Sequence, residues 1–89
     1  MPARCLIVDD EDLARQQMSR LLAAHPEFQI IGESRNGVEA LEFIPEFKPE
    51  VVFLDIEMPG LNGFDMLAQL RDAPLIVFAT AYDEFAIRL

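Results

Sequence analysis

The segment "VVFLDIEMPG", residues 51–60, joins four apolar residues to a single carboxylate and then breaks at a Met-Pro-Gly turn. Residues 51–55 show no alternation of apolar and polar side chains, which is typical of a strand covered on both faces of a parallel sheet. Asp55 therefore stands at the carboxyl end of a buried strand, where packing has no use for an acidic side chain. This position predicts a role in binding or chemistry.

Three more apolar runs predict strands on either side of this segment. They are "RCLIVD" at 4–9, "FQIIGES" at 28–34 and "LIVFAT" at 75–80. Each is short and rich in branched side chains, and acidic or turn-forming residues follow the first two. With the run at 51–55, the chain is predicted to contain four strands.

The segments between the predicted strands have apolar residues at the spacing of a helix. A first helix runs from Asp12 to the His25-Pro26 pair, since the residue before proline is pushed out of the α region. Its apolar residues share one face, with the polar ones mostly off that face. The apolar set is Ala14, Met18, Leu21 and Leu22, and the polar set is Arg15, Gln16, Ser19 and Arg20.

Later helices follow the same pattern. "VEALEFI" at 38–44 comes after the Asn36-Gly37 turn, with Pro45 and Pro49 on either side of the expected exit from the helix. "NGFDMLAQLR" at 62–71 has Asn62 as its candidate N-cap. "DEFAIRL" at 83–89 is expected to begin a fourth helix. Alternation of strands and helices predicts an α/β domain with a parallel sheet and helices on both faces.

Composition limits the classes of function. The 89 residues predict a single domain, and although 52% are hydrophobic, no apolar run reaches the roughly 18–20 residues of a membrane span. The start of the chain does not have the pattern of a signal peptide, and a single cysteine fits a reducing compartment, so a cytoplasmic location is expected. A net charge of -9 opposes direct binding to nucleic acid.

Acidic side chains collect at the carboxyl ends of the predicted strands. Asp9 and Asp10 follow the first strand, Asp55 ends the third, and Thr80 ends the fourth. Because parallel strands point to the same edge, these groups are expected to meet there, where α/β sheets bind ligands. Three carboxylates repel one another unless a cation or a proton compensates them, and an all-oxygen site suits Mg²⁺. Asp55 is the best placed nucleophile for phosphoryl transfer.

These motifs resemble those of a known family. "LIVDDE" at 6–11, "VVFLDIEMPGLNGFDML" at 51–67 and "VFATA" at 77–81, in this order and at these separations, are similar to the receiver domain of bacterial response regulators. The likeness covers essentially the whole chain. "VDDEDLAR" at 8–15 and "TAYDEFAIRL" at 80–89 also resemble regulators of the LytTR class, whose receivers precede a DNA-binding domain.

The resemblance implies roles for the acidic residues. Asp55 would accept the phosphoryl group, with a phosphohistidine on a sensor histidine kinase as the donor. Asp10 would bind Mg²⁺ directly, Asp9 would bind it through water, and Asp55 and the backbone carbonyl of Glu57 would be further ligands. The implied fold is a flavodoxin-like, doubly wound sheet with strand order 2-1-3-4.

It also implies roles for two loops. Thr80 would be the switch hydroxyl, Ala81 the small residue beside it, and Tyr82 part of the segment that changes on activation. Pro59 and Gly60 would shape the loop after the acceptor. The domain would be a signalling module in a phosphorelay, controlling transcription through an attached output domain, and no enzyme beyond its own phosphorylation and dephosphorylation.

The sequence departs from the receiver pattern at its end. Receivers carry a fifth strand that ends in a lysine and then a fifth helix, and residues 1–89 contain neither, so an incomplete receiver without its output domain is expected. The only lysine, Lys48, precedes the third strand and lies at the wrong end of the sheet. The strand at 75–80 would be an exposed edge, open to dimerisation or domain swapping. We expect such a chain to bind Mg²⁺ but to be phosphorylated poorly.

Two other functions remain open at this point. A phosphorylation-independent interaction or dimerisation module would fit the missing lysine and the exposed edge. A Mg²⁺-dependent phosphatase would use the same kind of nucleophile, since "FLDIE" at 53–57 is partly similar to the Asp-x-Asp motif of haloacid-dehalogenase-type enzymes. Glu57 and Pro59 depart from that motif.

Overall fold

The sheet and its connections are seen in a computed structural model, which describes residues 1–55, 68–70, 72, 74–79 and 85–88, with the backbone alone for 79 and 85–88. Two helices and five strands have complete bounds. In chain order they are β1 (Ala3–Val8), α1 (Asp12–Ala23), β2 (Phe28–Ser34), α2 (Gly37–Phe47), β3 (Val51–Asp55), β4 (Leu75–Ala79) and β5 (Phe85–Arg88). The third predicted helix, at 62–71, and its N-cap Asn62 lie mostly or wholly outside the described residues.

The first four strands are parallel, in the order β2-β1-β3-β4. This confirms the predicted fold class and strand order. The β1–β2 pairing shifts by one residue, because Cys5 pairs with Ile30 and Leu6 with Gly32. β2 is an edge strand on this sheet, where such an irregularity interrupts few hydrogen bonds.

Each face of the sheet packs against one described helix. Side chains alternate across a strand, so Leu6 and Val8 pack with Ala40 and Ile44 of α2, whereas Cys5 and Ile7 face the other way. On that other face the core contains Leu22 of α1 together with β3 and β4 side chains. Double coverage explains why the central strands show continuous apolar runs.

A strand replaces the predicted fourth helix. Residues 85–88 form β5, which pairs antiparallel with β4 in the register Ile76 with Arg88 to Ala79 with Phe85. The helix prediction was wrong because seven residues are too few for a stable helix, whereas β4 offers a row of backbone groups that need partners. Five residues separate β4 from β5, too few for a parallel crossover but enough for an antiparallel return.

β5 also corrects the prediction of an exposed fourth strand. The sheet order places β4 between β3 and β5, so β4 is an internal strand. The edge that was expected to pair with a second copy is taken by the chain's own residues. The predicted dimerisation or swapping through β4 therefore loses its structural basis.

The buried face of α1 differs from the predicted one. Leu22 is buried as expected, but Leu21 is 46% exposed and Arg15 is only 9% exposed. Arg15 was predicted to lie off the apolar face, and it is buried because its guanidinium finds acidic and carbonyl partners near the sheet edge. The helix ends as predicted, with the His25 N–H donating to the Leu22 carbonyl over 2.9 Å.

α2 ends between the two prolines, where the exit from the helix was expected. Pro45 lies inside the helix, which runs on to Phe47. Its last turn is closed by the Lys48 N–H, which donates to the Ile44 carbonyl over 2.8 Å. Arg4 of β1 donates to the carbonyls of Phe47 and Lys48 over 2.6 and 3.0 Å. This cationic cap satisfies carbonyls that the helix leaves open and outweighs the local cost of proline.

No helix in the described part of the chain has the length and apolar character that crossing a membrane requires.

Candidate functional site

An acidic cluster lies at the carboxyl edge of the sheet. The register pairs Val8 of β1 with Leu54 of β3, so the next residues, Asp9 and Asp55, come side by side. Asp10 follows in the connection to α1, and one carboxylate oxygen from each of these three residues lies within 4.8 Å of the others. The structure therefore brings together the three carboxylates that the sequence predicted to meet.

Asp9 is held by hydrogen bonds of its backbone N–H, its backbone carbonyl and its carboxylate. Its N–H donates to the Ser34 carbonyl over 3.1 Å, which ties it to the end of β2. Its Oδ1 accepts from the Glu11 N–H over 3.0 Å, and its carbonyl accepts from Arg15 Nη1 over 2.7 Å. These bonds give the connection between β1 and α1 a defined path before any ligand binds.

The electrostatics of the cluster favour a cation. Burial raises the pKa of the Asp9 carboxyl above its ordinary value, although the hydrogen bond from Glu11 lowers it. The negative charges of Asp55, Asp10 and Glu11 raise this pKa further. A group whose ionised form is disfavoured by its neighbours gains from a positive ion placed among them.

The donor set fits Mg²⁺. Asp9 and Asp55 are half-buried and Asp10 is exposed, so the cluster has both a fixed side and a side open to water. Hard oxygen donors with room for water are what Mg²⁺ takes in proteins, usually with one or two carboxylates. In the described part of the chain, no other group of three such side chains lies close enough to hold a metal ion.

Arg15 is the part of the site that the sequence prediction missed. Besides the Asp9 carbonyl, its guanidinium contacts the Asp12 carboxylate on the same helix and the Glu33 carboxylate of β2, the latter over 3.4 Å. The sequence did contain a signal for the contact with Asp12, because an acidic residue and an arginine three positions apart on a helix lie next to each other on its surface. The partner on β2 could be found only from the fold.

Several predicted site residues lie outside the described residues. They are Glu57, Pro59, Gly60, Thr80, Ala81 and Tyr82. One neighbouring position is informative, since Ala79, the residue before Thr80, pairs with Asp55 in the β3–β4 register. The roles implied for these six residues stay predictions.

Lys48 lies where the sequence predicted, away from the acidic cluster. It caps the carboxyl end of α2 and precedes β3, whereas Asp55 is the last residue of β3. At about 3.3 Å per residue, the five residues of β3 alone separate the two ends by well over 10 Å. Lys48 cannot serve as the cation beside a phosphoryl group on Asp55.

A family comparison agrees with this geometry. Residues 5–88 match the model of the response regulator receiver domain. The chain belongs to this family. Receiver domains are signalling modules of two-component systems, and the match spans Asp9 and Asp10 after β1, Asp55, and the region after β4.

Curated relatives place this receiver among response regulators. A response regulatory protein of Shewanella oneidensis, itself uncharacterized, is 46% identical over 86 residues, covering 94% of this chain and 36% of the relative. The sensory transduction protein LytT of Enterococcus faecalis is 44% identical over 86 residues, covering 93% of this chain and 36% of the relative. This receiver thus spans about a third of the length of such relatives.

A solved structure shows the same fold. The response regulator domain of Thermotoga maritima CheB superposes with a TM-score of 0.81 at 32% sequence identity. The alignment covers 94% of this receiver and 64% of the other chain.

Proposed function

We propose that this receiver accepts a phosphoryl group on Asp55 from a phosphohistidine of a sensor histidine kinase. The observation that carries the proposal is the acidic cluster, in which oxygens of Asp9, Asp10 and Asp55 lie within 4.8 Å of one another at the carboxyl edge of the sheet. Family membership supports a kinase as the donor.

Asp55 is the residue suited to attack phosphorus. It ends the buried strand β3, whose pairing with β1 and β4 on both sides fixes its backbone. A carboxylate oxygen of Asp55 would form a bond to phosphorus as the phosphorus–nitrogen bond to the histidine breaks, giving an acyl phosphate and a neutral imidazole after proton uptake. The electron pair of the broken bond leaves with the imidazole nitrogen.

Asp9, Asp10 and Asp55 are proposed to hold a magnesium ion together. Asp10 is expected to bind directly and Asp9 through water, with the Glu57 carbonyl as a further ligand. When bound, Mg²⁺ would offset the charge of the phosphoryl oxygens and lower their repulsion with the acidic cluster. The hydroxyl of Thr80, next to Ala81 and Tyr82, is proposed to report the phosphoryl group to the surface.

The output is proposed to be transcription control by an attached DNA-binding domain of the LytTR class. Two observations support this assignment. The receiver is similar to LytT, and the alignment covers only 36% of that relative, which leaves most of the relative's length for other domains. The acidic receiver itself, with a net charge of -9, is not expected to contact nucleic acid. We therefore assign DNA binding to another part of a longer protein.

The test is phosphorylation by a small donor. Incubation of the chain with acetyl phosphate and Mg²⁺, followed by intact-mass measurement, is expected to show a gain of one phosphoryl group. The gain should be slow, because the 89 residues lack a lysine at this edge, and it should disappear in Asp55→Asn or on chelation of Mg²⁺. Asp72→Asn is the matched control, since Asp72 is exposed and outside the cluster. Equal phosphorylation of Asp55→Asn and wild type would contradict the proposal.

A further inference from the structure

The buried guanidinium of Arg15 has a place in the fold that packing alone does not explain. Its side chain is 10% exposed, yet it lies among polar groups at the end of the sheet, while the apolar Leu21 of the same helix is left in water. Burying a guanidinium costs free energy unless its charge and its donors are matched. Its partners therefore reveal what it holds in place.

Those partners come from three elements around the acidic cluster. Nη1 donates to the carbonyl of Asp9 over 2.7 Å, Nη2 contacts the Asp12 carboxylate of α1, and Nε lies 3.4 Å from a carboxylate oxygen of Glu33 on β2. A planar guanidinium can serve such separate acceptors at once, which an ammonium group cannot do with the same geometry. Arg15 thus joins the end of β1 to α1 and β2.

Asp9 connects the contacts of Arg15 to the acidic cluster. Its carbonyl binds Arg15, and its carboxylate belongs to the cluster. Three carboxylates within 4.8 Å push one another apart, and two of them belong to the β1–α1 connection, which lies outside the hydrogen-bonded strands and helix. A bond on the Asp9 carbonyl opposes that movement without using any carboxylate oxygen of the cluster.

We infer that Arg15 is a positioning residue for the magnesium site, holding Asp9 and Asp10 in place against their repulsion through the Asp9 backbone carbonyl. The inference rests on the proposed function, which assigns Mg²⁺ to this cluster. It adds a residue outside the ligand set that controls how well the ligands are arranged. Groups that orient metal ligands typically change metal affinity about 10- to 100-fold when removed.

The sign of the effect separates positioning from simple electrostatics. The positive charge of Arg15 repels a nearby cation, so removing it without moving any ligand would tighten Mg²⁺ binding. Removing a positioning bond would weaken binding instead. A role in stability alone would lower the melting temperature and leave the affinity of the folded protein unchanged.

The experiment titrates MgCl₂ into ¹⁵N-labelled wild-type chain and variants, following backbone amide shifts, which report affinity and folding together. Arg15→Met is expected to raise the Kd for Mg²⁺ about tenfold. Arg15→Lys keeps the positive charge but not the planar guanidinium, so its Kd for Mg²⁺ should lie between those of Arg15→Met and the wild type. Arg20→Met is the matched control, because it removes the same charge from an exposed position of α1 and should leave the Kd within about twofold.

An unchanged or lower Kd in folded Arg15→Met would overturn the inference. If Arg15→Met does not fold at the temperature used, Arg15→Lys decides: a raised Kd supports the inference and a wild-type Kd overturns it. A wild-type chain without a saturable Mg²⁺ response would instead contradict the metal site of the proposed function. The two failures are therefore distinguishable.

Discussion

Asp9 shows how one residue can be well held and still under electrostatic stress. Its N–H, carbonyl and carboxylate all have hydrogen-bond partners. Burial and the neighbouring acids nevertheless raise its pKa, so the folded protein binds a proton at Asp9 more readily than the unfolded chain does. The metal-free domain therefore loses stability as pH rises from the ordinary Asp pKa through the raised one.

Replacing Asp9 by asparagine is expected to stabilise the metal-free domain at neutral pH. Asn keeps an oxygen for the Glu11 N–H but removes one charge from a cluster in which two charges at 4.8 Å repel by about 1 kcal/mol in water. The free energy of unfolding should rise by about 1 kcal/mol at pH 7, measured by urea denaturation in the presence of a chelator. The gain should shrink as pH falls below the raised pKa, because Asp9 is then protonated in the wild type.

Magnesium should reduce this difference in stability. The wild type should gain more than Asp9→Asn on addition of MgCl₂, since the variant has one fewer charge to offset. Lower stability of Asp9→Asn at every pH without metal would contradict the assignment of repulsion to this cluster.

Sequence reasoning identified the site residues better than the residues that support them. Asp9, Asp10 and Asp55 were recognisable because carboxyl ends of parallel strands share an edge and because acids there have no packing role. Arg15 was placed on the wrong face, since helical periodicity sorts residues by polarity alone. Its burial depends on Glu33 and on the Asp9 carbonyl, which a linear pattern does not bring together.

At the scale of elements, the ends of α2 are set by contacts of different range. Its start was readable from Asn36, whose side chain accepts from the Glu39 N–H over 2.9 Å. Its end was predicted only to lie between Pro45 and Pro49, and the cap itself was not predictable, because Arg4 binds the terminal carbonyls from a distant part of the sequence. A tertiary cap thus closes the helix at Phe47, between the two prolines that marked its exit in the sequence.

The end of α2 also carries a strained backbone. Lys48 is the C-cap in the left-handed region, with φ 48° and ψ 61°, a conformation that glycine adopts at little cost. Lys48→Gly is expected to raise the free energy of unfolding by about 0.5–1 kcal/mol, as relief of the Cβ strain exceeds the added flexibility of the unfolded chain. Chemical denaturation followed by circular dichroism measures this change.

Lys48→Ala separates the backbone effect from the loss of a charge. Alanine keeps Cβ, so this variant should stay within about 0.5 kcal/mol of the wild type. Equal stabilisation by alanine and glycine would show that the charge, not the left-handed backbone, limits the stability of this helix end.

For the whole molecule, the arrangement of four parallel strands followed the order of apolar runs, but the fifth strand did not. "FAIR" at 85–88 is too short for its period to distinguish helix from strand. The deciding factor is the open edge of β4, a property of the assembled sheet. An α/β sheet with one antiparallel edge strand is a common outcome when an edge needs cover.

Removal of β5 should make the domain self-associate. Deletion of residues 85–89 leaves the backbone groups of β4 without a partner on that side, and apolar edge strands pair readily with other chains. Light scattering coupled to gel filtration is expected to show dimers or larger species at concentrations at which the wild type is monomeric. Deletion of Met1 and Pro2, which precede β1 and are exposed, is the control and should leave the wild-type profile unchanged. A deletion lacking β5 that stays monomeric would contradict this role for the strand.

The placement of Lys48 puts the reactive side-chain amine of the domain at one end of the sheet and the acidic cluster at the other. It is the only lysine of the chain, it is exposed, and it lies at the end of the sheet opposite Asp55. Met1, with the terminal amine, lies just before β1 at that same opposite end and is fully exposed. Coupling through amines would therefore attach the molecule to a sensor surface at the end of the sheet opposite Asp55. The acidic edge would face solution on every immobilised copy, ready for a kinase to approach.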